Sequence, residues 1–357
     1  MRFSASCPWP SRQQPGGPWA PSNPTWALTW RVTCSTTQRP SSAMVMWRGW
    51  GGGPGTQLNV HTQLPGPLAT GTDHGAILDV LTNRTSAQRQ QTTRVFQALT
   101  KQDLLKSMEA ALSGDLERVI VGLLKPPAQY DAHELRAAMQ GMGTDEDALT
   151  EILSTRSNQQ LREILAFYQQ DFKADPEKDI ASETSGWFKE ILLALATGKR
   201  ERDTGIIDYA LIQQDAEALA DPGASSEGAG ERTWISIFTQ RSPEHLSRVF
   251  GQYRKSHGLE VEETICKRFR GDGQAAMPAL ASVCRNTPRY FAEKLHNAVK
   301  GPGTDDKVLI SRSETDLLSV RSEFKKRHGK SLYSCLQVET RGDYQAVLLA
   351  LCRAEDL

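Results

Sequence analysis

One pattern constrains this chain more than any other: a small residue, any residue, Arg and then Ser or Thr or its near equivalent, recurring four times in 357 residues around Arg84, Arg156, Arg241 and Arg312. Twelve residues after each arginine stands an aromatic, Phe96, Tyr168, Tyr253 and Phe324. Thirty residues after each stands a glycine, Gly114, Gly186, Gly271 and Gly342. Another glycine precedes the arginine by 13 residues in the first three copies (Gly71, Gly143, Gly228) and by nine in the fourth (Gly303). Offsets held over that length describe one supersecondary unit repeated in tandem. A unit of this size cannot bury its apolar faces alone, so the four must share contacts.

The second copy reads as helices throughout. Asp131 with Glu134 predicts a capped start and Gly141 a stop; a helix over Asp145 to Ser154 follows. Ser157 is placed to cap a longer helix with Leu161, Ile164, Leu165 and Tyr168 on one face, a short helix follows Pro176, and an apolar one covers Trp187 to Ala196. Strand signals are nearly absent, so the expected class is all-α with about five helices per repeat. The expected repeats are residues 68–124, 125–200, 201–284 and 285–357. The first is expected to lack its first helix, because Leu58 to Leu68 carries Pro65 and Pro67.

Composition separates residues 1–67 from this array. Residues 1–72 hold five arginines and no acid, a charge of +5, which leaves −5 on the remainder although the whole chain sums to zero. Ten of 18 prolines and six of eight tryptophans precede residue 68, with runs such as Trp50-Gly51-Gly52-Gly53-Pro54-Gly55 that suit neither helix nor sheet. Residues 1–67 are therefore expected to be disordered or irregular. Two readings stay open for them, a partner-binding or membrane-interface arm and an atypical exon or an error in the gene model. The acidic body argues against a nucleic-acid binder, which needs a basic surface. No stretch approaches 18 apolar residues, and no apolar region of secretory type follows the N-terminus. Six cysteines without paired spacing fit reduced thiols in the cytosol.

Glycine-rich segments fall between the first and second helices: Met139-Gln140-Gly141-Met142-Gly143-Thr144-Asp145 in the second copy, Val299-Lys300-Gly301-Pro302-Gly303-Thr304-Asp305 in the fourth. Three residues before the later landmark glycine stand Glu183 and Glu339. A hard cation such as calcium takes six to eight oxygens, and glycine lets successive carbonyls turn inward. The negative end of the preceding helix favours a cation at the same place.

These motifs, glycine-rich loop and distant acid before Thr-Ser-Gly, resemble those of the annexin family, over residues 68–357. Gly205-Ile206-Ile207-Asp208-Tyr209 and Cys352-Arg353-Ala354-Glu355-Asp356 resemble one vertebrate member in particular. The resemblance implies a curved disc of four five-helix repeats that binds acidic phospholipid, phosphatidylserine above all, through Ca2+ on its convex face. It implies a cytoplasmic protein, peripheral on the inner face of the plasma membrane or on vesicles. In repeat two it assigns the carbonyls of Met139, Gly141 and Gly143 and the carboxylate of Glu183 to the metal; in repeat four, Val299, Gly301, Gly303 and Glu339. Lys300 becomes a candidate contact to lipid phosphate. Repeat one has Ala69 for the first glycine and Ala111 for the acid, and repeat three has Arg268 at the acid position, so both are expected to have lost their sites. Repeat four lacks four residues between Gly303 and Arg312, about one helical turn, so its buried face can survive while the loop-to-Glu339 distance changes. The competing reading is a calcium-independent helical scaffold for protein or membrane contacts. An enzyme is disfavoured: His133-Glu134 lacks a second His at metalloprotease spacing, and no Gly-x-Ser-x-Gly turn occurs.

Overall fold

The structure is a computed structural model that describes residues 44–46, 61–63, 74–141, 143–221, 228–300 and 305–353. The chain divides into two compact units, Met1–Pro67 and Leu68–Leu357. In the first, β1 (Met44–Met46) pairs antiparallel with β2 (His61–Gln63), Val45 standing opposite Thr62. That small ladder falls within the segment expected to be irregular. The rest of the expected irregular segment lies outside the described residues.

The second unit is helical at every regular element among its described residues. Repeat one contributes α1 (His74–Thr82), α2 (Ser86–Thr100), α3 (Leu104–Ala111) and α4 (Gly114–Leu124). Repeat two contributes α5 (Pro127–Ala138), α6 (Glu146–Thr155), α7 (Asn158–Phe172), α8 (Pro176–Glu183) and α9 (Gly186–Ala196). Repeat three runs α10 (Tyr209–Ala220), α11 (Ala229–Gln240), α12 (Pro243–His257), α13 (Val261–Arg268) and α14 (Asp272–Arg285). Repeat four runs α15 (Thr287–Lys300), α16 (Asp306–Arg312), α17 (Leu317–His328), α18 (Leu332–Glu339) and α19 (Gly342–Cys352). Repeat one thus begins, among the described residues, with the counterpart of the second helix of the others.

The landmark residues acquire physical roles. Arg156, buried, donates Nε and Nη2 to the two carboxylate oxygens of buried Asp131 at 2.7 and 2.8 Å, a fork that ties α7's entry to α5. Arg241 makes the same fork to Asp215 of α10. Asp131 is therefore not the start of its helix as the sequence suggests: α5 begins a turn earlier at Pro127, whose fixed φ suits the first helical position, and this leaves Asp131 inside the helix facing Arg156. Repeat four has Phe291 in the place of that aspartate. Arg312 lies 4.7 Å from the Phe291 ring centroid and takes Asp316, four residues on, as its carboxylate. Arg84, whose repeat lacks a described first helix, is exposed.

Ser157 and Thr85 close capping boxes with Gln160 and Gln88, so α7 and α2 start two residues after their arginines. The landmark glycines sit at the start of the last helix of each repeat with left-handed backbone, φ +57° at Gly186 and +65° at Gly342, a conformation that a side chain disfavours.

The shortening of repeat four falls on its second helix. α16 has seven residues where α6 has ten and α11 twelve. Val308 and Leu309 stay fully buried, as expected for the removal of about one turn. The cost appears at the next helix: α17 begins five residues after its arginine and has 12 residues, against 15 in α7 and α12.

Two apolar cores result. One joins repeats two and three around Trp234, Phe238, Phe250, Ile164 and Leu192; the other joins repeats one and four around Ile120, Leu123, Phe291, Phe324 and Leu348. Each such fully buried side chain stabilises the fold by roughly 1.5–3 kcal/mol before entropy is counted. Ion pairs also join the halves: Lys307 pairs with Glu134 at 2.8 Å, and Lys294 with Glu151. No described helix is long and apolar enough to cross a membrane.

Candidate metal centre

In repeat two α5 ends at Ala138, and its last carbonyls are partly used by the turn that follows: Met139 N donates to Arg136 O and Gln140 N to Ala137 O. Asp145 N then donates to Ala138 O at 2.8 Å, closing the loop, while the Asp145 carboxylate caps α6 through Ala148 N. Within the loop Gly141 and Gly143 have φ +119° and +109°, and no atom lies within 4 Å of where a Cβ would stand on either. Both glycines are therefore uncrowded at that position, and their backbone is turned as only glycine readily allows.

Glu183 reaches the same loop from 39 residues away. Thr144 Oγ1 donates to the Glu183 carbonyl at 3.2 Å, and Glu183, the last residue of α8, is exposed. Just beyond it Thr184 ends the helix, its hydroxyl donating to Ile180 O at 2.6 Å. One turn back, Asp179 accepts from Arg136 and from the Tyr168 hydroxyl, both at 2.6 Å, which locks α8 against α5 and α7. Burial and the hydrogen bond to Asp179 push the Tyr168 phenol up to about 12, so it remains a donor at neutral pH. The Arg136 guanidinium is held more firmly charged, first by its hydrogen bond with Tyr168 and then by Asp179 and Glu183. Thr144, the residue after Gly143, is thus tied to the backbone of Glu183 at the end of α8.

Repeat four is parallel at its acid and different at the end of the helix before its loop. Glu339 ends α18 and is exposed, and Thr340 Oγ1 donates to Leu336 O at 2.6 Å, as Thr184 does to Ile180. Val299 and Lys300, however, are still inside α15, whereas Met139 lies beyond the end of α5. Gly301 and Gly303 lie outside the described residues.

The other two copies carry no acid at the corresponding helix end. Ala111 ends α3, and Ala69 and Gly71 lie outside the described residues. In repeat three Arg268 ends α13, and its Nη2 donates to the carbonyl of Asp221, the residue that caps α10, at 2.9 Å. The same guanidinium stands 5.8 Å from the Trp234 ring. Gly228 is hemmed in where Gly143 is open, since a Cβ there would meet the Trp187 ring at 2.9 Å.

Two features of the site escaped the reading of the sequence. The Thr144 to Glu183 bond has no local signal. The lock on α8 does have one, visible between copies: a tyrosine at the landmark aromatic goes with a hydrogen-bonding residue four before the acid position, Tyr168 with Asp179 and Tyr253 with Thr264, the latter pair 2.9 Å apart.

The annexin family model matches residues 68–123, 130–195, 214–280 and 290–351, and the chain belongs to this family of four-repeat helical proteins. The member that its sequence resembles is 53% identical over 291 residues: annexin A9 of Homo sapiens, with 80% of this chain and 84% of that protein covered. Among solved structures, annexin III superposes with a TM-score of 0.78 at 39% identity, covering 81% of this chain and 90% of that one. A calcium-bound annexin (Sm)1 superposes with a TM-score of 0.71 at 29% identity, over 80% and 86% of the two chains.

Proposed function

We propose that this protein binds membranes rich in acidic phospholipid, phosphatidylserine in particular, in a calcium-dependent manner, and that repeat two is its principal calcium site. The observation that supports the reading is the Thr144 hydrogen bond to the Glu183 carbonyl, which ties the glycine-turned loop to the end of α8, where Glu183 is exposed. Met139, Gly141 and Gly143 would offer carbonyls and Glu183 its carboxylate. Bound calcium supplies positive charge and coordination positions that a lipid phosphate can fill, which joins an acidic protein body to an acidic surface.

Repeat four is a second, weaker candidate through Val299, Gly301, Gly303 and Glu339. Lys300, exposed at the end of α15, is positioned to add a contact to phosphate. Repeats one and three lack sites on this reading. In repeat three the Arg268 guanidinium already neutralises the carbonyl that ends α10, so a cation is both repelled and redundant there. The four repeats divide at 68–124, 125–200, 201–284 and 285–357. The protein acts without catalysis, in the cytoplasm, peripheral on the inner face of the plasma membrane or on vesicles.

Sedimentation with phosphatidylserine vesicles tests this. The full chain should pellet at millimolar calcium and stay in solution with chelator, and Glu183→Gln should raise the calcium requirement about tenfold. Pelleting that ignores both calcium and Glu183→Gln would instead establish a calcium-independent scaffold.

A further inference from the structure

The seam between the two apolar halves holds a cavity of about 730 Å³, walled by α4, α5, α6, α15 and α16. Seven carboxylates and four bases line it, an excess of three negative charges. Arg156 is spent on Asp131, Lys294 on Glu151, Lys307 on Glu134 and Arg118 on Asp306. Asp145, Asp147 and Asp305 remain as the excess. Burial raises the Asp305 and Asp306 carboxylates above their usual range.

A second observation points to a ligand. The hydroxyl of Tyr130, a residue 5% exposed, is buried without a hydrogen-bond partner among the described residues. The ring is fixed by close packing: a Cβ on Gly122 would lie 2.9 Å from Tyr130 Cε2, so only glycine permits this approach. Tyr130 lines the cavity, and the carboxylates that act on its hydroxyl, Glu134, Asp306, Asp131 and Asp305, line it too. A buried hydroxyl without a partner costs roughly 1–3 kcal/mol, and a ligand able to donate to it removes that cost.

We propose that this cavity binds a linear aliphatic polyamine, one ammonium group donating to the Tyr130 hydroxyl and the others pairing with Asp147 and its neighbouring acids. Nitrogen cations are what its carboxylates already hold, from Arg118, Arg156, Lys294 and Lys307. Ala148, Ile152 and Ala298 give the same wall apolar stretches that suit methylene chains. A metal ion is a poorer match, because among the described residues no three His, Cys, Asp or Glu side chains are grouped to hold one.

Calorimetric titration of spermidine into the full chain, with calcium chelated and at physiological ionic strength, tests the assignment. Saturable binding is expected, weakened about tenfold in Tyr130→Phe and likewise in Asp147→Asn. Tyr130→Phe should melt no lower than the wild type, since it removes a hydroxyl that lacks a partner, and this separates loss of binding from loss of fold. The proposal is overturned if spermidine does not bind, if both variants bind it as tightly as the wild type, or if magnesium displaces it at matched ionic strength as effectively as spermine.

Discussion

Arg268 donates from Nη2 to the carbonyl of Asp221 at 2.9 Å, and so a side-chain cation rests on the end of α10 in repeat three. Substitution and packing agree in repeat three: the arginine that replaces the acid also takes up the carbonyl. Arg268→Ala should therefore leave the calcium requirement for vesicle sedimentation within about twofold of wild type, and the loss of one partly exposed hydrogen bond should cost about 1 kcal/mol of stability by urea denaturation. A large fall in calcium-dependent binding would show that repeat three takes part after all.

Thr144 is the link between loop and acid in repeat two. Thr144→Val preserves shape and removes the donor to Glu183 O. The expected result is a calcium requirement raised roughly three- to tenfold, with a shift in unfolding free energy of about 1 kcal/mol at most. Equal losses of binding at Thr144→Val and at a matched surface threonine would argue that the contact does no positioning.

The fork from Arg156 to Asp131 is buried on both sides, with side-chain exposures of 3% and 9%. Removing one partner strands the other, so Asp131→Ala should destabilise by roughly 3–5 kcal/mol, while a double replacement by apolar residues of similar volume should recover most of that. Chemical denaturation of the two single variants and the double variant gives the coupling directly.

His296 stacks on His328 at 3.6 Å between ring centroids with planes 11° apart. Its pKa is lowered, first by desolvation and then by His328 and Lys300, with Glu293 opposing. A histidine depressed in the folded state leaves the unfolded chain with more bound protons once pH falls through the ordinary value of about 6.5. Stability from this group is therefore complete above that value and declines as pH drops through it toward the folded pKa. The melting temperature measured from pH 7.5 to 5 should fall, and His296→Gln should flatten the slope; an unchanged slope would rule out His296 as its source.

Much of this architecture is local and so could be read along the chain. The spacing from arginine to aromatic to glycine marks the repeats, and the capping pairs Thr85 with Gln88 and Ser157 with Gln160 act within one turn, so helix starts follow from neighbours in sequence. Where a residue's partner lies on another helix, the sequence was silent or misled. Asp131 looked like a cap and is a buried ion-pair partner, because Pro127 had already started the helix.

The glycines and acids of the candidate site could be named from their spacing, yet the bond from Thr144 to Glu183 could not. Thr144 and Glu183 belong to segments joined through α6, α7 and α8, and only the packing of those helices sets them 3.2 Å apart. The partner of Arg268, and the polar cavity between an apolar core of repeats two and three and another of repeats one and four, were decided in the same way. Helical periodicity and capping depend on residues three or four apart, which the sequence displays. Contacts between helices depend on how whole faces cross, and that emerges only when all the faces compete to be buried at once.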